Sequence, residues 1–168
     1  MNIFAVHEDP YIAASHLCDK HVVKMIVEGC QMLSTIHHMD VKFPKPSILY
    51  KPCFKNHPCT VWARKTINNY NWLAEHTLAL SNEYTGRYSR IHKSNDLCHW
   101  FVHNIPTYIP DGTLTPFAMA MPDKYKCDDP ILAYRNYYIH EKAKFASWKI
   151  SVPDWYKEGI ANVQLQVL

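Results

Sequence analysis

The run Cys18-Asp19-Lys20-His21-Val22-Val23-Lys24-Met25-Ile26-Val27-Glu28 carries the residues of this 168-residue chain best suited to proton transfer. On a helix, spacings of four, three and four bring His21, Met25, Glu28 and Met32 to one face. A carboxyl group on a stripe otherwise made of sulfur and imidazole is partly desolvated. That favours its neutral form and poises it to move a proton or to stabilise a nearby cation. The same position also suits a buried Glu paired with Lys24 or with an Arg across the core. A second cluster is Lys55-Asn56-His57-Pro58-Cys59-Thr60. Its His-Pro at a helix start sets an imidazole beside free backbone N–H groups, an arrangement that fits an anion such as phosphate or simply a capped helix.

Other donors are less organised. Cys53, His57 and Cys59, and Cys98, His99 and His103, offer metal-binding atoms without the paired-cysteine or HExxH spacing of zinc sites, so no metal is expected. With four glycines in all, the chain has no Walker loop, no GxGxxG and no GxSxG, which disfavours nucleotide cofactors and the serine-hydrolase elbow; no cofactor is expected. Cations interleaved with rings occur at Arg87-Tyr88-Ser89-Arg90-Ile91-His92-Lys93 and again at Trp148-Lys149 and Trp155-Tyr156-Lys157. That mixture suits nucleic acid, cations on phosphates and rings on bases, and equally a solvated helix end plus an aromatic plug.

The elements that must position these residues read as helices. Asp9-Pro10 supplies an N-cap and a first-turn proline, and the pattern after it runs without a breaker to about Met39. Pro44, Pro46, Pro52 and Pro58 make residues 41–58 an ordered loop. A second helix is expected from Thr60 to about Gly86, with Trp62, Tyr70, Leu73, Leu80 and Tyr84 on its buried stripe. A short helix follows over residues 94–102, then a proline-rich surface stretch over 104–127. Asp129-Pro130 repeats the start signal for a third long helix reaching about Lys149, with an aromatic tail behind it. With no convincing strand pattern, the fold class is mainly α: a single compact domain of about three main helices joined by long Pro-rich loops.

Composition agrees with one globular domain, at 48% hydrophobic and 20% charged residues. No apolar run reaches the roughly 18 residues of a membrane span, so no membrane partner is expected. The net charge of +3 is unremarkable, but it is uneven: residues 51–100 carry the whole surplus. Met1–Val6 lacks the basic start of an export signal, and the six scattered cysteines read as reduced thiols in a cytosol-like compartment.

Three patches in this order resemble one known family. Asp19-Lys20-His21 with Glu28 seven residues after the His is similar to the first helix of the phage-type pyrimidine-dimer DNA glycosylase/AP lyases of the endonuclease V type. Pro153-Asp154-Trp155-Tyr156-Lys157 resembles that family's Pro-x-Trp-Tyr-Lys segment, and Asn56-His57-Pro58 resembles the His-Pro of bacterial and archaeal members. The resemblance implies one glycosylase-like helical domain over residues 1–168, monomeric, with its N-terminus threaded between helices, in the cytoplasm of a bacterium or of a virus-infected host cell. It implies a DNA partner, double-stranded with a flipped or damaged nucleotide, and attack by an N-terminal α-amine on the deoxyribose anomeric carbon. Glu28 would stabilise the cationic sugar and assist elimination, the Met1 amine would be the nucleophile, and His21 and His57 would support them. Lys24, Arg64, Arg87, Arg90, Lys93 and Lys157 would meet phosphates, and Trp155 and Tyr156 would stack near the target.

Two positions depart from that pattern. Residue 2 is Asn, which normally leaves Met1 in place, where the family exposes a small residue; and Val27 stands where the family carries a DNA-contacting Arg, with Lys24 one turn away. Two alternatives to base excision therefore stand. One is a transferase on the same scaffold that joins an amino group to an activated thymine in viral DNA; the other is a non-catalytic DNA-binding protein.

Overall fold

A computed structural model describes residues 1–165. It contains helices α1 (Pro10–His16), α2 (Asp19–Met39), α3 (Pro58–Ala63), α4 (Ile67–Tyr88), α5 (Asn95–His103), α6 (Pro130–Lys142) and α7 (Asp154–Leu165), with one 3₁₀ turn at Asp123–Tyr125 and no strand among the described residues. The domain is mainly α. Helix α4 is its centre, with α1, α2 and α5 packed on it, while α7 packs on α6. No helix of the described residues is long and apolar enough to cross a membrane.

The local signals act as their chemistry dictates. Asp9 accepts from the N–H groups of Tyr11 and Ile12, and Asp129 from those of Ile131 and Leu132, with Pro at the first helical position in both. Between α2 and α3, Asp40 holds the loop by accepting from the Lys42 and Phe43 N–H groups and from the Thr107 N–H and hydroxyl.

Each of the three long helices expected from sequence is shorter. The first breaks at Leu17–Cys18, because the carbonyls that end α1 are taken by distant donors. Arg87 donates to Ser15 O and Leu17 O, Trp148 Nε1–H to His16 O, and the Cys18 N–H turns to the Tyr138 hydroxyl. The second is interrupted at Arg64–Thr66, where Thr66 caps α4 through the Asn69 N–H, and Asn69 Nδ2 ties α4 to Trp62 O and Thr115 Oγ1. The third stops at Lys142, and the aromatic tail forms a helix of its own, α7.

Helices α2 and α4 cross at unusually short range. A Cβ on Gly29 would lie 2.3 Å from Thr77 Oγ1, so only glycine permits this approach, next to Glu28. The first six residues form no helix or strand, and Ile3, Phe4, Ala5 and Val6 are buried in the core. The chain start is thus a core element, held between helices.

Candidate active site

The threaded chain start delivers the α-nitrogen of Met1 to Glu28. Met1 N lies 3.6 Å from Glu28 Oε2, and the Asn2 N–H donates to the same oxygen at 2.9 Å. Lys24, one turn before on α2, holds Oε1 at 3.2 Å. The buried carboxyl group therefore faces three nitrogen donors, one of them the Lys24 that the sequence offers as its ion-pair partner, while His21 and Met25 line the same pocket.

Asn2 fixes this geometry. Its Oδ1 accepts from the N–H groups of Ile3 and Phe4 at 2.7 and 2.9 Å, and its Nδ2 donates to Ala120 O at 2.7 Å. Phe4 turns the chain in a left-handed conformation, φ 41°, and its ring stacks on His21 with centroids 4.4 Å apart. Phe4 also meets Tyr138 edge-on.

His21 is buried beneath this turn. Its Nδ1 lies 2.7 Å from the Tyr138 hydroxyl, which also accepts from the Cys18 N–H. Burial, and then the charges of Lys142, Lys24 and Lys20, push the imidazole down to about 3, so it is neutral at physiological pH. His57 caps α3 by accepting the Cys59 N–H at Nδ1. Burial, followed by the N-terminal ammonium, lowers its pKa, while Glu28 and the Met1 carbonyl pull the other way. His57 is not among the residues that line the pocket, but it lies within electrostatic reach of the Met1–Glu28 pair.

Met1, His21, Lys24 and Glu28 line a pocket of about 210 Å³ together with Tyr137 and Lys142. Sequence reasoning missed the last two. Lys142 donates to the Tyr137 hydroxyl at 3.0 Å and lies over that ring. Both come from α6 by tertiary packing and carry no local signal. A larger hollow of about 510 Å³ lies two turns along α2, between Thr35, His38 and residues 52–55, and its lining has no carboxylate. Among the described residues no group of three or more His, Cys, Asp or Glu is arranged to hold a metal ion.

The outer residues divide. Arg64 is half-buried and donates to Lys55 O, Arg90 and Lys93 are exposed on the turn after α4, and Lys157 is exposed and paired with Asp154 at 3.0 Å. Arg87 is corrected from a phosphate ligand to a structural residue. Its side chain is 1% exposed, and all three guanidinium nitrogens are engaged by Glu83, Asp19, Ser15 O and Leu17 O. The same burial claims the Asp of the Asp-x-His run. Tyr156 is corrected as well: its ring is buried against Trp148 and Tyr138, leaving no face for a base. Trp155 is half-buried, donating to His16 Nδ1 under the Arg135 guanidinium.

One charge signal was overlooked. From residue 41 to residue 74 the chain has no Asp or Glu but carries Lys42, Lys45, Lys51, Lys55, Arg64 and Lys65, and the five lysines are exposed. This acid-free stretch contains His57 and thus adjoins the Met1–Glu28 pair.

No curated protein and no solved structure matches the chain. A family model described as pyrimidine dimer DNA glycosylase matches residues 1–96, a span that includes Met1, Asn2, His21, Lys24, Glu28 and His57 and leaves Tyr137 and Lys142 outside. With more than half of its length matched, the chain belongs to the pyrimidine dimer DNA glycosylase family.

Proposed function

We propose that the protein is a DNA N-glycosylase with AP-lyase activity on damaged or modified pyrimidines, using the Met1 amine as nucleophile and Glu28 as the acid/base group. The single observation that carries this reading is the 3.6 Å separation of Met1 N and Glu28 Oε2 inside one small pocket. The unprotonated amine attacks C1′ of a flipped-out nucleotide, forming the N–C1′ bond as the glycosidic bond breaks and the base leaves. Ring opening gives a Schiff base, whose positive charge the adjacent carboxylate stabilises. Glu28 then assists removal of the C2′ proton, and the 3′ phosphate leaves by elimination. Water hydrolyses the remaining Schiff base and returns the free amine.

Lys142 and Lys24 flank the pocket as cations for the phosphates beside the target, and neutral His21 supports the Phe4 turn that aims Met1. Arg64, Arg90, Lys93 and Lys157, with the exposed lysines of residues 41–65, provide further phosphate contacts on duplex DNA, and Trp155 offers a partly exposed ring.

Borohydride trapping on abasic DNA tests this. A covalent adduct whose mass maps to the Met1 amine, abolished when that amine is blocked, is the expected result. Uncut DNA that gains a defined mass in the presence of an amino donor would instead identify a transferase. Binding with neither adduct nor mass change would identify a non-catalytic binder.

A further inference from the structure

Phe54 is an exposed ring that packing does not explain. The residue is 63% exposed, and no ring pairs with it among the described residues. Its backbone is left-handed, φ 51°, a conformation unfavourable for a large side chain.

The turn is nevertheless held firmly on both sides. Thr35 Oγ1 accepts from the Cys53 N–H at 2.9 Å, and its single proton is shared between Gln31 O and Cys53 O, each at 2.8 Å. After the ring, the His57 N–H donates to Phe54 O at 3.0 Å, and Arg64 binds Lys55 O at 2.5 Å. The surroundings therefore over-determine a strained, solvent-facing phenyl group, a pattern associated with function.

Its location indicates which function. Thr35 is seven residues beyond Glu28 on the same face of α2, so the Phe54 turn lies about 10 Å along that helix from the carboxylate, a distance of roughly three base steps. His57, three residues after Phe54, caps α3, which packs on the Glu28 helix α2. Exposed Lys51 and Lys55 flank the ring in the acid-free stretch, which favours a polyanion at this surface.

We infer that Phe54 is a base-stacking wedge that enters the duplex about three base steps from the target nucleotide and unstacks the bases there while the target is held at the Glu28 pocket. The inference rests on the DNA-acting reading above. Apolar side chains can unstack a base step in this way, and a turn whose backbone is already held loses little freedom on binding.

The test compares borohydride trapping by wild type, Phe54→Ala, Phe54→Gly and Phe54→Trp on an abasic site in a duplex and on the same site in a single strand. Phe54→Ala and Phe54→Gly are expected to trap duplex at least about fivefold more weakly, with single-strand trapping within about twofold of wild type, and Phe54→Trp is expected to retain duplex trapping. Phe54→Gly relieves the left-handed strain, so its melting temperature stays level or rises while duplex trapping falls, which loss of folding could not produce. Equal duplex trapping by wild type and Phe54→Ala overturns the wedge and leaves the glycosylase/lyase reading standing. Absence of wild-type trapping on both substrates overturns the reading and the wedge together.

Discussion

Met1 N and Glu28 Oε2 stand 3.6 Å apart, with the Asn2 N–H closing on the same oxygen at 2.9 Å. The carboxylate thus both holds the chain start and faces the nitrogen assigned to attack. Glu28→Gln preserves shape but removes the charge, so elimination at an abasic site is expected to fall by about 10²- to 10⁴-fold. Duplex affinity should stay level or rise, because a negative charge near the phosphates is gone. Single-turnover cleavage and fluorescence anisotropy check the two halves. Unchanged cleavage would remove Glu28 from the chemistry.

Asn2 is the clamp on that arrangement. In Asn2→Asp the Oδ1 contacts to Ile3 and Phe4 can persist, but a carboxylate replaces the amide donor facing Ala120 O and adds a charge near Glu28. Loss of the buried donor is expected to cost about 1–3 kcal/mol of stability. Trapping should weaken as Met1 loses its aim. Chemical denaturation together with trapping yield checks this, and a variant with wild-type values in both would show that the clamp is dispensable.

Gly29 and Thr77 set the distance between α2 and α4. Gly29→Ala drives a methyl group against the buried Thr77 hydroxyl, which itself donates to Leu73 O, and is expected to destabilise by about 1–3 kcal/mol. Thr77→Ala removes the obstructing atoms, so the double variant should recover part of the loss. A double-mutant cycle in denaturant measures the coupling, and strictly additive values would show that the contact does not limit packing.

Three buried imidazoles make the protein sensitive to acid. Burial, the leading cause in each case, pushes His21 down to about 3 and His37 and His76 to about 4. Their folded pKa values lie below the unfolded value of 6.5, so between pH 6.5 and about 4 the unfolded chain binds protons that the folded one refuses. Stability is therefore fully present above pH 6.5 and declines as pH falls through that window, by about 2 kcal/mol per histidine at pH 5. Melting curves from pH 7.5 to 5 check the direction, and His37→Phe should flatten the slope.

Much of this architecture is legible locally. Asp-Pro pairs start α1 and α6 because the capping side chain and the proline act within one turn. Glu28 could be identified because its helical spacing is also local. The break after α1 was invisible, since Arg87, Trp148 and Tyr138, which take its terminal groups, lie between 70 and 132 residues away. Tyr137 and Lys142 were missed for the same reason. The cationic run at 87–93 misleads because sequence does not reveal that Arg87 is buried under Asp19 and Glu83, whereas the lysines of the acid-free stretch before it are exposed.

That contrast gives a prediction about where phosphates bind. If Lys51 and Lys55 meet the backbone, replacing both with Ala should lower the slope of log affinity against log salt by about 1.8, since each duplex phosphate contact contributes about 0.9. Arg87→Met should leave that slope unchanged, because no guanidinium nitrogen is available to DNA, yet it strands Asp19 and Glu83 without their buried partner. Breaking a buried pair from one side costs about 3–5 kcal/mol, so this variant should melt well below wild type. Salt titrations of duplex binding, read beside melting curves, separate the two roles. A reduced salt slope in Arg87→Met with intact stability would return Arg87 to the DNA surface, and an unchanged slope in the double lysine variant would move the phosphates to Arg90, Lys93 and Lys157.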